Sequence, residues 1–588
     1  MLKRIGLATL CLAALTMATA ALAASPPMAD TIYAGRIITL VGSGTDARAR
    51  AEAVAVRGDR IVAVGRRDEV MRLRGRDTQV IELGSAALLP GFVDAHGHLT
   101  GTASALSSVN LSPPPVGTVR NIADVQAALR KFIAERHIAP GTVVTAFGYD
   151  DAQLEERRHP TRDDLDAVSS EHPIFLSHVS GHLSAVNSAM LKLAGVDADT
   201  PDPEGGVIRR RENSREPNGV LEEKASNSVR GTMAPAGLEE SLQGLSYAMT
   251  YYASKGVTSV QDGAIIAAQR AMLDEAARRG LLSLDVVTYH IWSPVILDLK
   301  SFKNSRTYDH GLKHYGIKLI LDGSPQGKTA FLTQPYHVPP AGKPVNYVGY
   351  PTMTAEAVTR AVTEAAARNI PVLAHANGDA AAEMLIDAVA AARKADPNAK
   401  PDVVMIHAQT VRDDQLDRMV QLGMTPSFFV AHTYFWGDWH RDETLGPVRG
   451  DRISPTRSAL DRGLSFTLHN DAPVVPPDML NTLWSATTRR TRSGDILGPT
   501  QRLTTWEALR GVTINAARQQ GDESLKGSIE VGKQADFVVL STDPLAIDPE
   551  KLRDVRVLQT IAHGKRVWQA EGCCDFSESR APSPPTQR

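Results

Sequence analysis

Short runs of Val, Ile and Leu, separated by Ala-rich stretches that carry charge on one side, set the rhythm of this chain. "GVTSVQDG", "GIKLILDGS", "IPVLAHANGD", "DVVMIHAQT", "GMTPSFF" and "GLSFTLHNDAP" read as buried strands bounded by Gly, Asp or Pro. Between them, "TAEAVTRAVTEAAARN" and "GDAAAEMLIDAVAAARKA" read as amphipathic helices. Strands that alternate with helices need crossover connections, so the middle of the chain predicts parallel strands in a (β/α) barrel. The two ends have another texture. "TIYAGRIITL" and "EAVAVRGDRIVAVGRRDEV" near the start, and "KGSIEVGKQADFVVLST" and "VRVLQTIAHGKRVWQ" near the end, alternate Val and Ile with polar residues between turns. Two such ends around one large middle predict a small β-domain built from both termini. A stretch rich in Pro and charge, residues 110–230, reads as an insertion between early barrel strands.

Composition changes this picture at the edges. Residues 1–24 carry a basic "MLKR", an apolar core and the small residues "ALAAS", with cleavage expected near Ala23 or Ala24. That is a secretory signal peptide followed by polar sequence, so the mature chain is expected in the periplasm or outside the cell, with no membrane span. Cys11 follows Leu10 rather than a small residue, which argues against a lipoprotein. The mature chain keeps only the adjacent Cys573 and Cys574, so no disulfide framework is expected. The tail, residues 571–588, predicts disorder. Sixty-four Lys and Arg balance 66 Asp and Glu, which leaves no net field for nucleic acid or an anionic membrane surface.

Candidate chemistry sits at strand ends. "GFVDAHGHLTG" puts His96 and His98 two positions apart, on one face if the segment is a strand. Alone the pair is a weak signal. His375 and His407 end two further strands, and Asp471 ends another before Ala-Pro stops it. In a barrel these C-terminal ends converge on one face. Neutral imidazoles and a carboxylate are the donor set of Zn²⁺ and similar divalent ions. Lys318 lies amid apolar residues, where lysine is rarely buried without purpose. It fits a carbamate that bridges two metals, a substrate contact, or a lysine whose stem is buried and whose head reaches water. Asp94 shares the face of the two histidines and reads equally as a supporting group or an ordinary strand residue. "GSPQGKT" imitates a phosphate-binding loop but has three positions between Gly323 and Gly327 where four are required, with Asp322 at the required glycine, which argues against a nucleotide hydrolase. No GxSxG elbow supports a serine hydrolase.

In this order "GFVDAHGH", "KLILDGS", "LAHANGDAA", "IHAQ", "NDAPV" and "GSIEVGKQADFVVL" resemble the amidohydrolase superfamily. More narrowly, with "YDDAQLEERRHPTRDDLD" and "SGHLSAVNSAML", they resemble its YtcJ-like branch, which includes N-substituted formamide deformylase. The resemblance implies a distorted (β/α)8 TIM barrel over residues 87–517 and a small β-sandwich from residues 25–86 and 518–570. It implies two divalent ions, Zn or else Mn, Fe or Co, held by His96, His98, Lys318, His375, His407 and Asp471, with Lys318 carboxylated. Two departures touch the surroundings of these residues: Ile406 stands where many relatives carry Glu, and Asn470 where they carry Ser.

Such a centre activates hydroxide, and Asp471 then moves its proton to the leaving nitrogen. Because the resemblance places the insertion over the barrel mouth, His182, Tyr149 and Asp150 are expected substrate contacts, and Gln326, in the loop after Lys318, is a further candidate. Aromatics in "SFFVAHTYFWGDWH" line an apolar pocket or pack a loop. The expected activity is hydrolysis of a non-peptide C–N bond in an N-acyl or N-formyl amine. A deaminase or a lactone or ester hydrolase on the same metals, and a non-catalytic periplasmic binding or regulatory protein, are the alternatives. The expected partner is a small molecule; a homodimer is left open.

Overall fold

Eight parallel strands form one curled sheet and pair in chain order: β1 (Phe92–Val93), β2 (Val257–Ile265), β3 (Asp285–Ile291), β4 (Leu312–Ile320), β5 (Val372–Ala376), β6 (Val403–His407), β7 (Thr425–Phe428) and β8 (Thr467–Leu468). The structure is a computed structural model that describes residues 28–340, 342–572 and 578–579. The signal segment 1–24, Cys11, Cys573 and Cys574 lie outside the described residues. β5 and β6 are buried at every position. That pattern is expected of a parallel sheet covered on both faces, and it explains their nearly unbroken apolar runs.

The outer cover is helical. In Ala355–Ala366 the buried residues Val358, Ala361, Val362 and Ala365 recur at the spacing of one helix face, and Thr354 caps the helix through the Ala357 N–H. Asp379–Ala395 buries Leu385, Ile386, Ala388, Val389 and Ala392 into the same core. Among the described residues no ladder joins β1 to β8. The loops after them meet instead: the Asp471 N–H donates to the His96 carbonyl at 3.1 Å, and the His98 N–H donates to the Ala472 carbonyl at 2.7 Å. The arrangement is that of a distorted barrel.

Both chain ends enter a second sheet, in which Arg74–Pro90 pairs parallel with Ala29–Ile38 and antiparallel with Phe537–Leu540. This sheet hands the chain to β1, only one residue beyond Pro90. Within the tail read as disordered, Glu578–Ser579 form a short strand against Val80 and Ile81. The segment after β1 builds a six-stranded mixed sheet from Val109–Asn110 to Pro217–Glu223.

Three of the buried lysines are almost wholly inaccessible, and their partners separate them. Lys313, near the start of β4, donates to Asp522 at 2.5 Å and to the Gln520 carbonyl at 2.8 Å. Lys526 pairs with Asp285. Both tie the C-terminal segment to the barrel at the ends of strands opposite the site, where polar pairs serve stability. Lys313→Met is expected to destabilise the fold by about 3–5 kcal/mol, because it strands a buried carboxylate. Urea unfolding followed by circular dichroism measures it; a change below about 1 kcal/mol would show that Asp522 is satisfied without the lysine. Lys318, equally buried, has no carboxylate within ion-pair distance among the described residues.

Candidate metal centre

The C-terminal ends of the strands bring His96, His98, Lys318, His375, His407 and Asp471 into one cluster. His96 is fully buried, and its Nδ1–H donates to the Gln261 side-chain oxygen at 2.7 Å. The other end of that amide donates to the Ala95 carbonyl at 2.7 Å, which fixes its orientation. The His96 Nε2 lone pair therefore faces Lys318 Nζ at 3.0 Å and Asp471 Oδ1 at 3.5 Å. A Cβ at position 263 would lie 2.3 Å from the imidazole, so only glycine leaves room for this ring.

The two histidines of the HxH segment do not share a strand face. β1 ends at Val93, and both lie in the loop that follows, with His98 at the start of helix Leu99–Ser107. The backbone bonds between this loop and the one after β8 bring them together, in place of a pleat. His98 Nε2 lies 3.1 Å from Asp471 Oδ1.

His375 ends β5 and donates from Nε2 to the Gly323 carbonyl at 3.0 Å, which leaves its Nδ1 as an acceptor, 3.0 Å from His407 Nε2. His407 Nε2 is 3.8 Å from Asp471 Oδ2. His407, Ala408 and Asp471 all have left-handed backbones, with φ of 74°, 47° and 55°. Such strain gathers at sites that the surrounding fold over-determines.

Electrostatics marks the cluster as unfinished by protein alone. Burial pushes Asp471 up, but the close approach of His98 Nε2 and the neighbouring His407 and His96 outweigh it and hold the carboxyl well below the usual range. Its Oδ1 is buried and accepts no hydrogen bond. Burial brings Lys318 down to about 8, opposed by the charge of Asp471. Burial also lowers His96, His375 and His407. One atom each of His96, His407 and Asp471 lie within 4.8 Å of one another. Neutral imidazole lone pairs turned toward a carboxylate with a spare oxygen fit a divalent cation.

Beside the cluster is a cleft of about 220 Å³ walled by Ser180, His182, Ser324, Gln326, Asn377, Phe429, His432 and Val474. His182 sits with its ring 4.9 Å from that of His375, and its Nδ1 pairs with Glu223 at 2.7 Å. Gln326 lines the cleft with a buried, unpartnered Oε1. "GSPQGKT", the false phosphate loop, thus supplies part of the wall.

Tyr149 and Asp150 do not reach this cleft. They belong to a separate buried network in the insertion, where Asp150 accepts from the Trp436 indole at 2.7 Å and His178 meets Asp151 at 3.0 Å. Asp150, Asp151 and His178 have metal-like spacing, but their hydrogen bonds are made within the network, which pins the insertion to the loop after β7. Phe435 and Trp436 line a neighbouring, mainly apolar cleft with Pro113, Pro114 and Val179. Asp94 is buried; burial pushes it up to about 7, opposed by backbone hydrogen bonds from Gln261 and His96.

Sequence reading missed the residues behind the cluster. His469 Nε2 meets His407 Nδ1 at 3.2 Å, with Ser427 behind it at 2.8 Å. Asp322 and Asn377 flank His375. Only His469 left a signal, two positions before Asp471 in "LHNDAP". Ile406 fills an apolar cluster with Val287, Tyr289, Tyr315, Leu373 and Val404. Asn470 bonds Thr482 in the next helix.

A curled parallel sheet with a histidine–carboxylate–lysine cluster at its strand ends defines a metal-dependent hydrolase barrel. The amidohydrolase family model matches residues 79–568, and the chain belongs to that family. It is 30% identical over 538 residues to N-substituted formamide deformylase of Arthrobacter pascens, covering 89% of this chain and 96% of the relative. It is 28% identical over 552 residues to the putative amidohydrolase YtcJ of Bacillus subtilis (strain 168), covering 91% and 99%. The solved structure of an uncharacterized metal-dependent hydrolase from Pyrococcus horikoshii OT3 shares the fold, with a TM-score of 0.69, 24% identity and coverage of 88% and 99%.

Proposed function

We propose that the protein hydrolyses a non-peptide C–N bond, the amide of an N-acyl or N-formyl amine, at a divalent metal centre. The observation that carries this reading is Asp471: a buried carboxylate with a spare oxygen, ringed by His96, His98 and His407 and close to an unpaired lysine. Similarity over most of the chain to a formamide deformylase favours an amide over an ester. His96, His98, His375, His407, Asp471 and a Lys318 carboxylated on Nζ would hold two divalent ions, zinc or a similar metal. When bound, the ions supply Lewis acidity, which brings the pKa of water near neutrality and polarises a carbonyl.

The chain's own residues do the rest. Asp471 accepts the proton of the attacking water at its carboxylate and returns it to the leaving nitrogen. The C–O bond forms, the C–N bond breaks, and a carboxylic acid and an amine leave. His182, held by Glu223, and Gln326 orient the substrate at the cleft. We further read the terminal sheet as the β-sandwich of the family fold, and the N-terminal segment as an export signal.

A screen of metal-reconstituted protein against N-formyl and N-acetyl amines, lactones and esters tests the reading. Release of amine from the amides is expected; turnover confined to lactones or esters would overturn the C–N assignment. Gln261→Leu removes the acceptor of the His96 Nδ1–H and is expected to weaken metal affinity or activity about 10–100-fold. Metal titration by calorimetry measures this, and wild-type affinity would show that Gln261 does not orient His96.

A further inference from the structure

The cleft wall is rich in acceptors. Asp471 Oδ1, Gln326 Oε1 and Asn377 Oδ1 are all buried without a protein donor. His432, on the loop after β7, is built differently. It is buried, lines the same cleft, and its Nδ1 lies 3.0 Å from His440 Nε2, the two rings nearly parallel at 11°. His440 Nδ1 in turn lies 2.8 Å from the Thr444 hydroxyl. Residues 440–444 form a π-helical turn, a departure from α-helix that clusters at functional sites. The turn carries both His440 and Thr444.

Donor counting sets the direction of this chain. A neutral imidazole has one N–H and one lone pair, so each contact holds one proton. The Thr444 hydroxyl is fully buried and has His440 Nδ1 as its hydrogen-bond partner. If His440 donated to it, the hydroxyl proton would be stranded in the core, at the cost of an unmet buried donor. The hydroxyl therefore donates to His440 Nδ1, and His440 Nε2–H donates to His432 Nδ1. The remaining nitrogen of His432, Nε2, carries its hydrogen toward the cleft. Burial lowers both rings, His440 to about 3, in keeping with neutral imidazoles.

We infer that His432 donates a hydrogen bond from Nε2 to the acyl oxygen of the substrate, and that His440 and Thr444 are positioning residues that fix its tautomer. The three unpartnered acceptors suit water and the amide N–H. The carbonyl oxygen needs a donor, and it gains negative charge as the carbonyl carbon is attacked. The inference rests on the proposed acyl hydrolysis for its substrate, but not for its tautomer.

The test pairs kinetics with nitrogen NMR of the full-length, metal-loaded protein labelled at histidine, the His432 signals assigned by their loss in His432→Phe. The expected spectrum shows Nε2 protonated and Nδ1 not. His432→Phe is expected to lower kcat on a formamide by about 10²-fold with metal content unchanged, the loss typical of removing one donor to a developing oxyanion. His432→Gln, whose amide can donate, should recover part of the rate. Thr444→Val should shift the His432 tautomer signals, and Thr444→Ser should restore them. A His432 protonated at Nδ1 in the wild type, or a His432→Phe variant within threefold of wild-type kcat, would overturn the inference. Absence of any amide turnover by the wild type would instead overturn the C–N reading, and the spectrum would still decide the donor.

Discussion

Asp471→Asn is expected to lower kcat by roughly 10²–10⁴-fold while the fold stays intact. Asparagine keeps the shape of the side chain and the left-handed backbone at this position, which Asn tolerates better than most residues. It loses the charge that holds His98 at 3.1 Å, and the oxygen that can take a proton. The backbone bond from residue 471 to the His96 carbonyl survives, so the loops after β1 and β8 stay joined. Steady-state kinetics, with thermal melting as the control for folding, decides the matter. A variant that melts like wild type and keeps kcat within a few-fold would remove Asp471 from the proton path.

The second large effect belongs to Lys318. Lys318→Ala is expected to abolish turnover and to cut metal content from about two ions per chain. Short carboxylic acids added to the variant should restore activity, since they offer the two oxygens that a carbamate would. The comparison with Lys313 sharpens this. Both lysines lie on β4 and both are buried, but Lys313 is neutralised by Asp522 while Lys318 faces His96. Loss of Lys313 should therefore move stability and loss of Lys318 should move activity. Full activity with one metal per chain in Lys318→Ala would refute a bridged pair.

The parts of this site legible in the sequence are those that local pattern controls. A histidine that closes an apolar run is placed at a strand end by the run itself, as with His375 and His407, while Asp471 lies three residues past its strand, in the loop after β8. Lys318 stood out because an ammonium among Ile and Leu needs a reason. Tyr149 closes an apolar strand, Val144–Tyr149, and Asp150 follows it, but that strand belongs to the insertion sheet. Its end opens on His159, His178 and Trp436 and not on the cleft. His96 and His98 join the cluster, but from another element than the sequence suggests: the strand stops short of them, and a loop carries both.

By itself, then, the sequence determined the alternation of strand and helix, the family, and the polar residues at or just past the strand ends, because burial periodicity and side-chain chemistry are local properties. Tertiary structure alone decided which ends meet and what stands behind them. Gln261 behind His96, His469 behind His407, Glu223 behind His182 and His440 behind His432 lie 165, 62, 41 and 8 residues from their partners. Three of the four contacts depend on strands closing into a barrel or on the insertion folding over its mouth. The fourth depends on a π-turn. None leaves a periodic signal, because a hydrogen bond across elements constrains two positions and says nothing of the residues between.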